Sequence, residues 1–237
     1  MKQNKSSSKW RHYEPTIILL CVRRYCRYQL SYRDVEEMMH ERGLHIELST
    51  VFRWVQRYAP EINKSIRQHL KMSGTSYRVD ETYIKVGKSC KYLYRAIDKS
   101  GQTIEFMLSA KRDVCAAKRF FRKMMRADHR RLPFSISVDI HTSYPDAFNV
   151  SQEEKVLPKD CRLRRTKYLT NIVEQDHRFI RRRWRACQCF RSFHTAERTI
   201  DGIESMHMLR KGQVKRLDER GAVGQEKFIE SLFGVAA

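Results

Sequence analysis

Asp80 stands in the middle of the run Tyr77-Arg-Val-Asp-Glu-Thr-Tyr-Ile84, which is rich in β-branched and aromatic residues and reads as a strand. Strand interiors disfavour Asp. An ionised carboxylate that cannot reach water is costly unless it is paired or binds a metal. Side chains alternate along a strand, so the adjacent Glu81 points to the opposite face and only one of the two acids can face a given site. Asp139 directly follows the apolar run Phe134 to Val138. It therefore sits at the carboxyl end of a strand, where open α/β sheets place their ligand crevices. Glu174 lies near the start of a helical segment, Asn171 to Arg185. Brought together, bare carboxylates repel until one takes up a proton, and a divalent cation removes that conflict. Hard oxygen ligands suit Mg²⁺ or Mn²⁺. Two such ions, about 3.5–4 Å apart, clamp the attacking and leaving oxygens of an in-line phosphoryl displacement. Each acid alone has a plainer reading. Glu174 is a helix-start carboxylate favoured by the dipole with Arg178 as its i, i+4 partner, and Asp139 simply ends a strand.

The composition bears on which reading holds. The 237 residues include 48 Lys and Arg against 27 Asp and Glu, a formal net charge of +21. That imbalance points to a polyanionic partner, nucleic acid first and an anionic membrane surface second. The basic residues are spread along the chain and form no single amphipathic helix, which speaks against the membrane. The longest apolar run, Thr16 to Val22, is too short to span a bilayer and is followed by Arg23 and Arg24. Met1 to Trp10 is polar and lacks the apolar centre of a secretory signal. Seven cysteines without framework spacing fit a reduced compartment and read as scattered thiols rather than a zinc site. A cytoplasmic, nucleoid-associated protein is expected.

The elements that must position the acids follow from periodicity and turn signals. Residues 1–12 read as a flexible basic tail. Three helical segments come next, within an expected DNA-binding domain at 13–72. Tyr13 to Arg27 has Pro15 in its first turn. Ser31-Tyr-Arg-Asp34 resembles a capping box ahead of Val35, Met38 and Met39, and Gly43 closes that helix. Ser49 or Thr50 caps a third helix, Thr50 to Tyr58, with Val51, Trp54 and Val55 as core, and Pro60 ends or redirects it. Helix, glycine turn and second helix make the outline of a helix-turn-helix. Residues 73–214 then read as Tyr77 to Val86, Tyr92 to Asp98 and Thr103 to Ser109 (three strands in a meander), a helix Asp113 to Arg126, the strand Phe134 to Val138, a variable region, a short strand at Arg162 to Leu169, and the helices Asn171 to Arg185 and Thr195 to Arg210. A strand returning after a helical crossover lies parallel to its neighbour. The fold class is α/β, a ribonuclease H-like mixed five-stranded sheet flanked by helices and preceded by an all-α helix-turn-helix domain. Residues 215–237 read as a C-terminal tail.

Longer motifs narrow the field. Arg78-Val-Asp-Glu-Thr-Tyr-Ile-Lys85, Lys91-Tyr-Leu-Tyr-Arg-Ala-Ile-Asp98, Ala116-Ala-Lys-Arg-Phe-Phe121, Asn171-Ile-Val-Glu-Gln-Asp-His-Arg178, Phe190-Arg-Ser-Phe193 and Met206-His-Met-Leu-Arg-Lys-Gly212 resemble the transposases of compact bacterial insertion sequences, the insertion-sequence-six family. Tyr32-Arg-Asp-Val35 and the stretch Ser49 to Pro60 match as well, so the resemblance runs from Tyr13 to Gln213. The family is similar to retroviral integrases in carrying an Asp, Asp, Glu triad on a ribonuclease H-like fold. The resemblance implies that Asp80, Asp139 and Glu174 are the catalytic, metal-binding triad, and the 34 residues between the last two match the family's gap. It further implies 3′-end cleavage, strand transfer and cointegrate formation with two Mg²⁺ or Mn²⁺ ions. The implied partners are the element's terminal inverted repeats, target DNA and further copies of the chain in a homo-oligomer. The chain departs from the pattern at Ile140-His141, at Thr170-Asn171 and at Cys189.

For double-stranded DNA, the early residues of the second helix of a helix-turn-helix meet base edges. Here these are Ser49, Thr50, Arg53, Gln56 and Arg57. Arg53 suits either guanine or a phosphate and Gln56 suits adenine, while Arg57 reads better as a phosphate contact. The run Arg178, Arg181, Arg182, Arg183, Arg185 suits the phosphate backbone near the acids. A charge run is also what a solvated helix face looks like. His177 reads as a structural histidine. Two other functions share these features. A decayed transposase or non-catalytic helix-turn-helix regulator needs the charge but not the triad, and a structure-specific nuclease would ignore the repeat sequence.

Overall fold

The computed structural model describes residues 13–166, 171–186, 190–215, 217 and 221–235, the side chains of 171–175 and 184–186 excepted. The expected tail at 1–12, the strand beyond Thr166, and Cys187 and Cys189 lie outside the described residues. In chain order the elements are α1 (Pro15–Arg27), α2 (Tyr32–His40), α3 (Leu48–Arg67), β1 (Ser76–Val86), β2 (Ser89–Asp98), β3 (Thr103–Ser109), α4 (Val114–Met124), β4 (Ser135–Val138), α5 (Ser143–Glu153), β5 (Arg162–Arg165), α6 (Asn171–Ala186), α7 (Phe193–Arg210) and α8 (Ala222–Leu232). Among the described residues no helix is long and apolar enough to cross a membrane.

The chain divides into two compact units, one holding residues up to 69 and from 194 onward, the other running from 70 to 184 with 189–193. In the second unit five strands form one sheet in the order β3-β2-β1-β4-β5. β1 to β3 are antiparallel neighbours, and β4 and β5 join β1 in parallel. This mixed order is the ribonuclease H-like topology expected from the sequence. One sheet face buries Tyr77, Val79 and Ile136 against Phe120 and Phe121 of α4 and Phe148 of α5. Each aromatic so buried contributes about 1.5–3 kcal/mol. Asp98 closes the β2–β3 turn, its Oδ1 accepting from Ser100 N and Gln102 N at 2.9 Å each. The segment expected to be variable contains α5, whose apolar residues Tyr144, Ala147 and Phe148 face that core.

In the first unit the capping box of α2 is present in both directions, Asp34 N donating to Ser31 Oγ at 3.2 Å and Ser31 N to Asp34 Oδ2 at 2.6 Å. Gly43, at φ 73°, turns the chain out of α2. Two expectations for α3 are corrected. It begins at Leu48, ahead of Ser49 and Thr50, and its first N–H donates to Glu36 Oε1 of α2 at 3.0 Å. It also runs straight through Pro60 to Arg67. Proline removes the N–H that would bond to the carbonyl four residues earlier, here that of Gln56. Arg198 Nη1 on α7 donates to that carbonyl at 3.3 Å and fills the gap. α7 thus packs in the helical unit, although the sequence grouped it with the sheet. It approaches closely because residue 202 is glycine: a Cβ there would fall 2.6 Å from Cys26 Sγ and 2.7 Å from Ala59 Cβ. α8, inside the expected tail, is held by Arg23 donating to Ala222 O at 2.8 Å and by Ile229, which is buried.

Two outcomes are expected from this packing. Gly202→Ala should lower stability by about 1–3 kcal/mol through overpacking, seen as a drop in melting temperature. Arg198→Met should cost about 1–3 kcal/mol by leaving the Gln56 carbonyl unpaired. In a Pro60→Ala background, which restores the helical N–H, the same change should cost distinctly less. Equal losses in both backgrounds, in a double-mutant cycle of denaturant melts, would refute the pairing.

Candidate active site

Asp80 and Asp139 are brought together by strand register. β1 and β4 pair in parallel from Ser76↔Ser135 through Arg78↔Ser137. Carried two residues further, the same register sets Asp80 level with Asp139 on the sheet face opposite the Phe120–Phe121 core. Each carboxylate has one oxygen held by the next peptide. Glu81 N donates to Asp80 Oδ1 at 2.8 Å and Ile140 N to Asp139 Oδ1 at 2.7 Å. Arg165 Nη2 at the end of β5 donates to Ile140 O at 3.0 Å and steadies the turn after Asp139. Burial, then the charge of Glu81, then that of Asp139 push the Asp80 carboxyl up to about 7, against the backbone hydrogen bond and Arg112.

α6 lies across this face and is tied to it by three side-chain contacts. Arg95 is opposite Asp80 on β2 and fully buried, and its Nη1 lies 2.6 Å from Asp176 Oδ2 on α6. His177 Nδ1, also buried, is 3.8 Å from Asp80 Oδ2. Arg181 Nε donates to Thr82 Oγ1 at 3.2 Å. Glu174 is one helical turn before His177 on α6, and its side chain lies outside the described residues. Arg178 and Arg182 are exposed, as a phosphate-facing run needs, but Arg183 is buried and is withdrawn from it. The Arg185 side chain lies outside the described residues.

The other face carries Glu81, as alternation requires. Its carboxylate is buried and accepts hydrogen bonds from Arg112 Nε and Tyr144 Oη. Tyr94, its cross-strand partner, is buried beside it. Burial and the Glu81 charge push the Tyr144 phenol well above its ordinary range. Sequence reading missed Arg95, Asp176, Arg112 and Tyr144. The signal for Arg95 was the two-residue Gly87-Lys88 connection, which pairs Val86 with Ser89 and thereby Asp80 with Arg95.

The donor set fits a divalent cation. Two hard carboxylates lie at matching register on one sheet face, each with one oxygen fixed by a backbone N–H, and burial and neighbouring negative charge push Asp80 up to about 7. A cation between them would offset the repulsion. Among the described residues, which omit the Glu174 side chain, no group of three acids, histidines or cysteines is close enough to make a complete metal cage.

In the helical unit, Ser49 and Arg53 are exposed on the first turns of α3 and Thr50 is half-buried. Arg53 Nη2 donates to Thr50 Oγ1 at 2.9 Å, and Arg57 Nε lies 3.9 Å from Glu61. Gln56 departs from expectation. It is buried, and its amide donates to Thr199 Oγ1 at 2.9 Å, so it is committed to packing α3 on α7 instead of facing outward.

A family model described as a DDE domain, of IS240-type transposases, matches residues 74–213. The transposase for insertion sequence-like element IS431mec of Staphylococcus aureus is 36% identical over 213 residues, covering 90% of this chain and 92% of that protein. The transposase for insertion sequence element IS257 in transposon Tn4003, also of Staphylococcus aureus, is 35% identical with the same coverage. Of solved structures, the HTLV-2 integrase catalytic core domain in complex with magnesium (dimeric form) is 12% identical. It covers 61% of this chain and 97% of that one, with a TM-score of 0.44. With most of its length matched to these transposases and its sheet to the DDE domain, the chain belongs to the insertion-sequence-six family of DDE transposases.

Proposed function

We propose that this DDE-type polynucleotidyl transferase binds the terminal inverted repeats of its element, cleaves the 3′ ends and joins them to target DNA, with Asp80, Asp139 and Glu174 as its catalytic residues. The observation that carries the proposal is the β1–β4 register, which brings Asp80 level with Asp139 on the face that α6 covers. Asp80, Asp139 and Glu174 would hold two Mg²⁺ or Mn²⁺ ions, which when bound supply charge neutralisation at the transferring phosphate and a more acidic attacking hydroxyl or water.

The chain's own residues have separate tasks. Backbone N–H groups of Glu81 and Ile140 orient the two aspartates. Asp176 and Arg95 hold α6, the helix that carries Glu174, against the sheet. Exposed Arg178 and Arg182 follow on that helix and suit the phosphate backbone of a bound end. Residues 13–72 would read the repeat through Ser49, Thr50 and Arg53, with Arg57 on a phosphate. The sheet unit, residues 70–184 with 189–193, would carry the chemistry. Assembly as a homo-oligomer on paired ends completes the reading.

The test is a strand-transfer assay with purified protein, labelled element ends and Mg²⁺ or Mn²⁺. Asp80→Asn, Asp139→Asn and Glu174→Gln should each lose about 10²–10³-fold or more of the rate, the scale of removing a principal source of transition-state charge stabilisation. End binding should persist in all three. Wild-type rates in Asp139→Asn would sink the proposal. End binding without products from any form of the protein would favour a regulator. For the repeat contacts, Arg53→Ala should cost about 1–3 kcal/mol on the cognate end and little on scrambled DNA. Arg57→Ala should weaken both alike and lower the salt slope by about one. Fluorescence anisotropy across a salt series separates the two.

A further inference from the structure

The backbone ladder between β1 and β4 ends at Arg78↔Ser137, before either aspartate is reached. Past that point the strands carry Asp80 and Asp139 without a main-chain bond between them in the ladder. The next cross-link is made by side chains. Glu81, directly after Asp80, accepts from Tyr144 Oη in the first turn of α5. α5 follows Asp139 after a three-residue link that is itself ordered, His141 Nδ1 lying 2.8 Å from Ser143 Oγ and Arg165 gripping the Ile140 carbonyl. A short closed circuit results: Asp80, Glu81, Tyr144, then back through Ser143 and Ile140 to Asp139. Arg112, just ahead of α4, donates to the same carboxylate from a third direction. The Glu81 peptide also donates to Asp80 Oδ1, so anything that turns Glu81 turns the donor that orients Asp80.

We propose that Glu81 and Tyr144 are positioning residues, whose buried bond sets the separation and aim of Asp80 and Asp139 for a divalent cation. This rests on the reading of those two aspartates as cation ligands. A buried acid with two donors also has a purely structural explanation, and buried ion pairs add little to stability compared with apolar packing. The two explanations differ in what they do to metal affinity. Groups that orient metal ligands from behind change affinity about 10–100-fold when removed. A group that only stabilises the fold changes the melting temperature and leaves the affinity of the folded protein alone.

The experiment is Mn²⁺ binding to the full chain, read by the electron paramagnetic resonance of free Mn²⁺ well below the melting temperature. Wild type, Tyr144→Phe, Glu81→Gln and Asp139→Asn are compared, and each is also melted in EDTA. Tyr144→Phe keeps the ring in the core and removes only the donor. Glu81→Gln keeps an acceptor and removes the charge, and serves if the first variant folds poorly. The expected result is a loss of Mn²⁺ affinity of about 10-fold or more in Tyr144→Phe and Glu81→Gln, from folded proteins, and loss of the site in Asp139→Asn. Affinities within twofold of wild type in both variants, with Asp139→Asn still defective, overturn the positioning role and leave the cation site standing. Equal binding by wild type and Asp139→Asn overturns both.

Discussion

Two acids stand side by side on β1 and face opposite ways, and the sheet between them has to accommodate both. A carboxylate buried without partners is too costly to keep ionised. Glu81 is therefore met by a phenol from α5 and a guanidinium from the approach to α4, elements that a purely apolar core would leave freer to slide. Its charge also reaches through the strand and is the largest influence after burial in making Asp80 reluctant to ionise. The acid that does no chemistry in the proposed reading conditions the acid that does.

The same logic repeats on the outer face. Arg95 is a fully buried cation directly across from Asp80 in the β1–β2 ladder, yet its partner is Asp176 on α6. A long helix rich in arginine has little apolar surface with which to grip a sheet, so the ion pair, together with Arg181 on Thr82, gives α6 a fixed register. Buried pairs of this kind contribute little net stability but penalise every misplaced alternative. Sliding α6 by one turn would strand Arg95 and Asp176 in a low-dielectric interior. The position of residue 174 follows from that constraint, since it is two residues from Asp176 along a rigid helix.

Much of this was legible in the residues and some was not, for identifiable reasons. β1, β3 and β4 announced themselves by β-branched runs, and alternation placed Asp80 and Glu81 on opposite faces. The capping box at Ser31 and the core at Val51, Trp54 and Val55 are local patterns, and they appear as read. What failed were readings in which a distant partner decides. Pro60 looks like a helix end until Arg198, far along the chain, takes the carbonyl it leaves open. Gln56 looks like a base reader until Thr199 takes its amide. Arg183 belongs by sequence to an exposed run and is buried all the same. α5 was hidden because its moderate pattern follows a short strand with turn-like Thr142-Ser143. Arg112 and Tyr144 carry no motif, and nothing but the folded sheet brings them to Glu81.

The charge distribution gives the proposed chemistry an order of events. With a net charge of +21, the chain as a whole attracts a phosphate backbone, and that attraction does not discriminate among sequences. The face with Asp80 and Asp139 would work the other way, since ionised carboxylates there would repel an approaching phosphate. In the proposed reading Arg178 and Arg182 of α6 would hold DNA while its scissile group stays off the acids. In the same reading Asp80 and Asp139 would hold the cations, whose positive charge would offset that repulsion. In that arrangement the basic field would govern capture and the acid pair commitment, so a strongly basic protein would hold DNA without cutting it wherever it lands.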